Sequence, residues 1–123
     1  MSLEIFNKIQ QLLTESNADF RVVTHPAEGK SEEIAKIRGT TPHQGAKAML
    51  VKNKLDGSFI LAVLPGDCRL DYQALANHLG GKIKKKDLTL ANTNEISIKT
   101  DCVVGCVPPF SFNDTVRLVV DPS

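Results

Sequence analysis

Gly45-Ala46-Lys47-Ala48-Met49-Leu50-Val51-Lys52-Asn53-Lys54 decides how the rest of the chain is read. Up to Lys52 it is apolar on both alternating faces, as expected of a strand lying centrally in a sheet and covered on both sides. With period two, Lys47 shares a face with Met49 and Val51, while Ala46, Ala48 and Leu50 point the other way. A lysine so placed either carries its ammonium to water along its aliphatic stem or holds an anion. This stretch alone leaves both readings open.

Working outward, Leu55-Asp56-Gly57-Ser58 carries the Asp-Gly signature of a tight hairpin, so Phe59 to Leu64 is the expected antiparallel partner, ended by Pro65-Gly66-Asp67. Upstream, Thr40 to Gln44 is a polar connection. A helix is expected before it, with Ser31 as N-cap, Glu32 and Glu33 in the first turn, and Gly39 at the end. Residues 3–16 carry Ile5, Phe6, Ile9, Leu12 and Leu13 on one stripe, which predicts an amphipathic helix. Phe20 to Thr24 reads as a short strand stopped by His25-Pro26.

Downstream, Asp71 is placed to cap a helix over Tyr72–Leu79 that Gly80-Gly81 closes. Lys82-Ile83-Lys84 reads as a short edge strand, Asp87 to Ile98 as a short helix plus loop, and Cys102 to Val107 and Thr115 to Val120 as two further strands. The expectation is a single domain over residues 1–123: mixed α/β, with a largely antiparallel sheet and helices packed around it.

Composition narrows the function classes. The chain of 123 residues is 41% hydrophobic and 24% charged, with a formal net charge of +1, so any contact with nucleic acid has to be local. The candidates are Lys47, Lys52 and Lys54, and separately Lys82, Lys84, Lys85 and Lys86; a solvated face is the competing reading of such a run. No apolar run reaches the ~18 residues of a spanning helix, and Met-Ser-Leu-Glu-Ile-Phe lacks the features of a signal peptide. A cytoplasmic protein without membrane contact is therefore expected. Cys68, Cys102 and Cys106 show no Cys-x-x-Cys spacing, which argues against a disulfide framework and a structural zinc site; no metal is expected.

There is no Gly-x-Ser-x-Gly, His-Glu-x-x-His, Walker or dinucleotide motif. His25, leaving a strand beside Pro26, has a residue type suited to general base work, or bonds a loop carbonyl structurally. Gly105-Cys106-Val107-Pro108-Pro109 is the second unusual stretch. Glycine inside a strand followed by two prolines either presents bare backbone to a ligand or builds a rigid corner.

The chain resembles the YbaK/prolyl-tRNA synthetase-associated family of aminoacyl-tRNA editing domains, and within it the small free-standing YeaK-type members. The resemblance runs through Ala18 to His25, Ile37-Arg38-Gly39-Thr40, Gln44 to Ala48, Leu61 to Leu64 and Gly105 to Phe112. It implies that family's barrel-like twisted sheet and a trans-editing deacylase, which hydrolyses the ester of a tRNA mischarged with a small amino acid; a non-catalytic module binding aminoacyl-tRNA or a nucleotide is the alternative. Lys47 matches the signature lysine that holds the acceptor end and the ester. Gly105 and Pro109 match the ends of a Gly-x-x-x-Pro motif, so Gly105, Cys106, Val107, Pro108 and Pro109 are expected to wall the pocket, with His25, Ser31 and Phe110 at its rim. Lys82, Lys84, Lys85 and Lys86 become candidates for the tRNA backbone. No cofactor is implied; the implied partners are the tRNA acceptor end and a synthetase. Two departures stand out. Asp101 occupies a position where related sequences commonly carry glycine, and the chain stops at Asp121-Pro122-Ser123, where family members continue with strands and a helix. Two expectations follow: either the chain is a shortened piece, or a second copy closes an uncovered sheet edge.

Overall fold

A computed structural model describes residues 3–22, 31–103 and 105–121. In chain order these form helix α1 (Leu3–Glu15), helix α2 (Ser31–Arg38), strand β1 (Ala46–Asn53), strand β2 (Phe59–Pro65), helix α3 (Tyr72–Leu79), strand β3 (Leu88–Leu90), helix α4 (Thr93–Thr100) and strand β4 (Val116–Val120). The sheet order is β3-β1-β2-β4, so the lysine-bearing strand is internal over the part that β3 covers.

The hairpin forms as its turn dictates. Lys52 stands opposite Phe59 and Lys47 opposite Leu64. Gly57 takes φ +74° in the turn, and the Asn53 side chain, almost wholly buried, accepts the Leu55 N–H at 3.0 Å. All seven residues of β2 are buried, so this strand is the spine of the core. The two faces of the hairpin bury separate clusters. Val51, Ile60 and Ala62 pack with Leu75 and Ala76 of α3 and with Leu88; Leu50, Phe59 and Leu61 pack with Ala91 and Val116 on the opposite face. Each fully buried aliphatic side chain contributes roughly 1.5–3 kcal/mol.

The helices end where their residues require. Asp71 accepts the Ala74 N–H at 3.0 Å and Gly80 closes α3 at φ +78°. Gly39 stops α2 at φ +70°. At the start of α4, Asn92 and Glu95 make reciprocal bonds, 2.8 Å from Glu95 N–H to Asn92 Oδ1 and 3.0 Å from Asn92 N–H to Glu95 Oε1. This capping box satisfies two donors that a helix start otherwise leaves open.

Several sequence expectations need correction. Among the described residues the sheet is mixed and not closed into a barrel: β4 joins β2 in parallel, and β3 and β4 stand at opposite edges. None of the described residues of Cys102 to Val107 lies in a strand. Gly105 sits at φ +83°, the Cys106 N–H turns back to the Val103 carbonyl at 3.0 Å, and two prolines follow, so no ladder can propagate. Lys82 to Lys84 is not an edge strand, because the Asp87 carboxylate accepts the Lys84 N–H at 2.9 Å and tightens Lys85–Asp87 into a 3-10 turn. Within Asp87 to Ile98, Leu88–Leu90 is a strand, created by pairing with Val51 to Asn53. Phe20 to Val22 is exposed and outside any strand, after Asn17 at φ +55° follows α1; Val23 and Thr24 lie outside the described residues. On β4, Val116 is buried while Leu118 and Val120 are exposed at the sheet edge. No helix among the described residues is long and apolar enough to cross a membrane.

Candidate active site

Among the described residues β3 covers only the far end of β1, from Val51 to Asn53, and the edge of β1 from Ala46 to Leu50 lines a cleft of about 520 Å³. Ile34 of α2, Leu90 to Thr93, Ile96 of α4, Gly105 and Val107 complete its walls. The Leu50 carbonyl accepts the Ala91 N–H at 2.9 Å, which turns the backbone groups of Leu50 toward β3. Backbone direction alternates along a strand, so the N–H and C=O of Ala46 and Ala48 leave β1 on that same side, into the cleft. The floor is apolar, from Ala48, Leu50, Ile96 and Val107; Asn92 and Thr93 bring polar groups to one end.

Lys47 is half-buried and lines this cleft. By alternation its side chain lies on the face of Val51, whereas Val107 packs against the opposite face with Ala48 and Leu50. Its ammonium donates to the backbone carbonyl of Cys68, in the turn after β2. The charge is held on a carbonyl at the cleft margin rather than carried free into water.

The wall on the α4 side is pinned by a charge pair. The Lys52 ammonium lies 2.8 Å from Glu95 Oε2, and both Lys52 and Lys99 lie over the Phe59 ring, 5.9 and 5.1 Å from its centroid. The bond from Lys52 is the main cause holding the Glu95 carboxyl below its ordinary value, and the Asn92 N–H adds to it. At the other end, His43 Nδ1 donates to Asp67 Oδ1 at 2.9 Å, which holds the Asp67 carboxyl low; burial, with Asp67 alongside, pushes the Cys68 thiol up.

The expected pocket wall divides. Gly105 and Val107 line the β1-edge cleft, while Pro108 and Phe110 line a second cavity of about 450 Å³ beside Ile5 and Lys8 of α1. Cys106 and Pro109 are half-buried between these positions in the chain. His25 lies outside the described residues, and Ser31 is the first residue of α2, with its side chain outside the description. Lys82, Lys84, Lys85 and Lys86 are all exposed in one turn region. Sequence reasoning missed Ile34, Leu90 to Thr93 and Ile96; the Asn92-x-x-Glu95 capping-box spacing was the signal that could have placed α4 and so the cleft's far wall. Asp101, noted for replacing glycine, sits at φ +56° at the C-terminus of α4, a left-handed position glycine fills most easily.

Residues 25–123 match the family model described as the aminoacyl-tRNA editing domain, and the chain belongs to that family. It is 46% identical over 113 residues to the multifunctional Ser/Thr-tRNA deacylase ProXp-y of Escherichia coli strain K12, covering 90% of this chain. The match spans 65% of that relative's length, just under two thirds. Among solved structures, hypothetical protein APE2540 superposes with a TM-score of 0.78 at 25% identity, over 93% of this chain and 73% of its own. A structure described as a candidate trans-editing enzyme for prolyl tRNA synthetase superposes with a TM-score of 0.75 at 24% identity, over 98% of this chain and 73% of its own, a likeness of fold.

Proposed function

We propose that this chain hydrolyses the ester linking a small amino acid to the terminal ribose of a mischarged tRNA. The observation that carries the reading is the single cleft in which Lys47, the open backbone of Ala46 and Ala48, and Gly105 meet over an apolar floor. Its 46% identity to a Ser/Thr-tRNA deacylase supports the same chemistry.

Ester hydrolysis passes through a tetrahedral oxyanion, and fixed donors aimed at that charge supply much of an acyl-transfer enzyme's acceleration. Lys47 stands on a rigid strand at the cleft margin, where its ammonium moves from the Cys68 carbonyl to a phosphate or ester oxygen of the bound acceptor end. Backbone N–H groups of Ala46 and Ala48 on the β1 edge are further donors at the same margin. Gly105, with no side chain and positive φ, lets the terminal nucleotide approach the main chain. The floor of Ala48, Leu50, Ile96 and Val107 suits a small side chain, and Asn92 and Thr93 suit a hydroxyl. A bound ester, water and ribose hydroxyl held in register need no Ser-His-Asp triad.

Lys82, Lys84, Lys85 and Lys86 are the proposed contacts for the tRNA backbone, and His25, Ser31 and Phe110 the proposed rim, carried by resemblance. The acceptor end of aminoacyl-tRNA is the partner, with a synthetase as the source of mischarged substrate. A panel of tRNAs charged with serine, threonine, alanine or a large amino acid tests the proposal. Release is expected from the small set and not from the large. Binding of tRNA with no release of any amino acid would instead leave a non-catalytic binding module.

A further inference from the structure

The described residues hold one group of three metal-ligating side chains, at the end of the β1–β2 hairpin away from its turn: His43, Asp67 and Cys68. We propose that these three residues form a binding site for a zinc ion, with the fourth position left to water.

The site is built by backbone. Pro42 to Gln44 forms a 3-10 turn ahead of β1, and Pro65 to Cys68 a turn after β2. Ala46 pairs with Pro65, so the two turns stand side by side. The Gly66 N–H donates to the Gly45 carbonyl at 2.7 Å, and the Cys68 N–H to the Pro65 carbonyl at 3.0 Å, fixing one turn against the other. His43 Nδ1 is 2.9 Å from Asp67 Oδ1, and Cys68 Sγ is 3.5 Å from that oxygen. All three ligand atoms lie within 4.8 Å of one another.

Zinc bound tetrahedrally at about 2.0–2.3 Å holds its ligand atoms roughly 3.3–3.7 Å apart, so small side-chain rotations bring this trio into place. Imidazole nitrogen, thiolate sulfur and carboxylate oxygen are a donor set that selects a borderline-soft ion over magnesium or calcium. With the thiol deprotonated and His43 neutral, the ligands carry two negative charges, matching the ion. The nearby ammonium of Lys47 is bonded to the Cys68 carbonyl rather than its thiol, which leaves the sulfur to the metal. Binding displaces the His43–Asp67 hydrogen bond and releases the thiol proton to solvent.

The test titrates the purified full chain with zinc chloride by calorimetry and with cobalt chloride by absorbance, beside His43→Ala and Cys68→Ser, both at partly exposed positions that tolerate change. One zinc per chain is expected, with a thiolate-to-cobalt absorption band in the wild type. Each variant should lose more than the roughly 10- to 100-fold in affinity that loss of an outer-shell partner costs, and Cys68→Ser should lose the band. No binding in the wild type, or wild-type affinity in either variant, overturns the proposal. Cys102 is buried and Cys106 lies on another loop, so a band that survives Cys68→Ser also overturns it.

Discussion

The Lys47 ammonium rests on the main-chain carbonyl of Cys68, which ties the start of β1 to the turn that ends its neighbour β2. A charge parked on a carbonyl at a cleft margin can transfer to an incoming anion without exposing a bare buried group in either state. That arrangement suits a residue that must hold position until substrate arrives.

Gly105→Ala should distort the loop that walls the cleft. At φ +83° an added Cβ is strained by about 1–2 kcal/mol wherever it points. Deacylation should fall severalfold or more with the melting temperature lowered by only a few degrees, checked by amino-acid release and thermal unfolding together. Unchanged release would remove Gly105 from the site.

Glu95 should set part of the acid stability. Its folded carboxyl lies below the ordinary 4.5 because Lys52 and the Asn92 N–H favour the charged form. A lowered carboxylate contributes stability that is present above 4.5 and is lost as pH falls through its folded value. Glu95→Gln should therefore destabilise the chain near neutrality and matter progressively less below about pH 4.5. Denaturant melts across that range check the sign.

Replacing Lys84, Lys85 and Lys86 together with glutamine should flatten the salt dependence of tRNA binding. Every phosphate that is no longer neutralised by a lysine lowers the slope of log K against log salt by about 0.7–0.9. An unchanged slope, measured by filter binding at several salt concentrations, would return these lysines to the status of a solvated face.

Leu61, 1% exposed at the centre of β2, is the strongest test of the packing. Leu61→Ala should cost about 2–5 kcal/mol, since the all-buried strand leaves little room to collapse around the gap. Chemical denaturation gives the value directly.

The parts of this fold that were legible in the sequence are those specified locally. Asp56-Gly57 fixed the hairpin, Asp71 and Gly80 bounded α3, and Gly39 ended α2, because each acts through backbone geometry within a few residues. The strand at Leu88–Leu90 was not legible, since its three residues become a strand only by pairing with Val51 to Asn53 far back in the chain. Cys102 to Val107 misled in the opposite direction: its apolar, β-branched composition reads as a strand, and Gly105 with the prolines overrules it. The same division holds at the site. Lys47 and Gly105 stood out as residue types out of place, whereas Ile34, Ile96 and the bond from Lys47 to Cys68 depend on tertiary approach.

The most direct measurement is the rate at which serine or threonine is released from mischarged tRNA by the wild type and by Lys47→Ala, with a thermal melt of each. Loss of one preorganised donor to a developing oxyanion costs about 100- to 1,000-fold in rate. The expected result is release by the wild type, a loss of that order in the variant, and a melting temperature shifted by no more than the few degrees that one hydrogen bond from a half-buried ammonium supplies. Undiminished release by a folded Lys47→Ala would contradict the role assigned to Lys47 in this cleft.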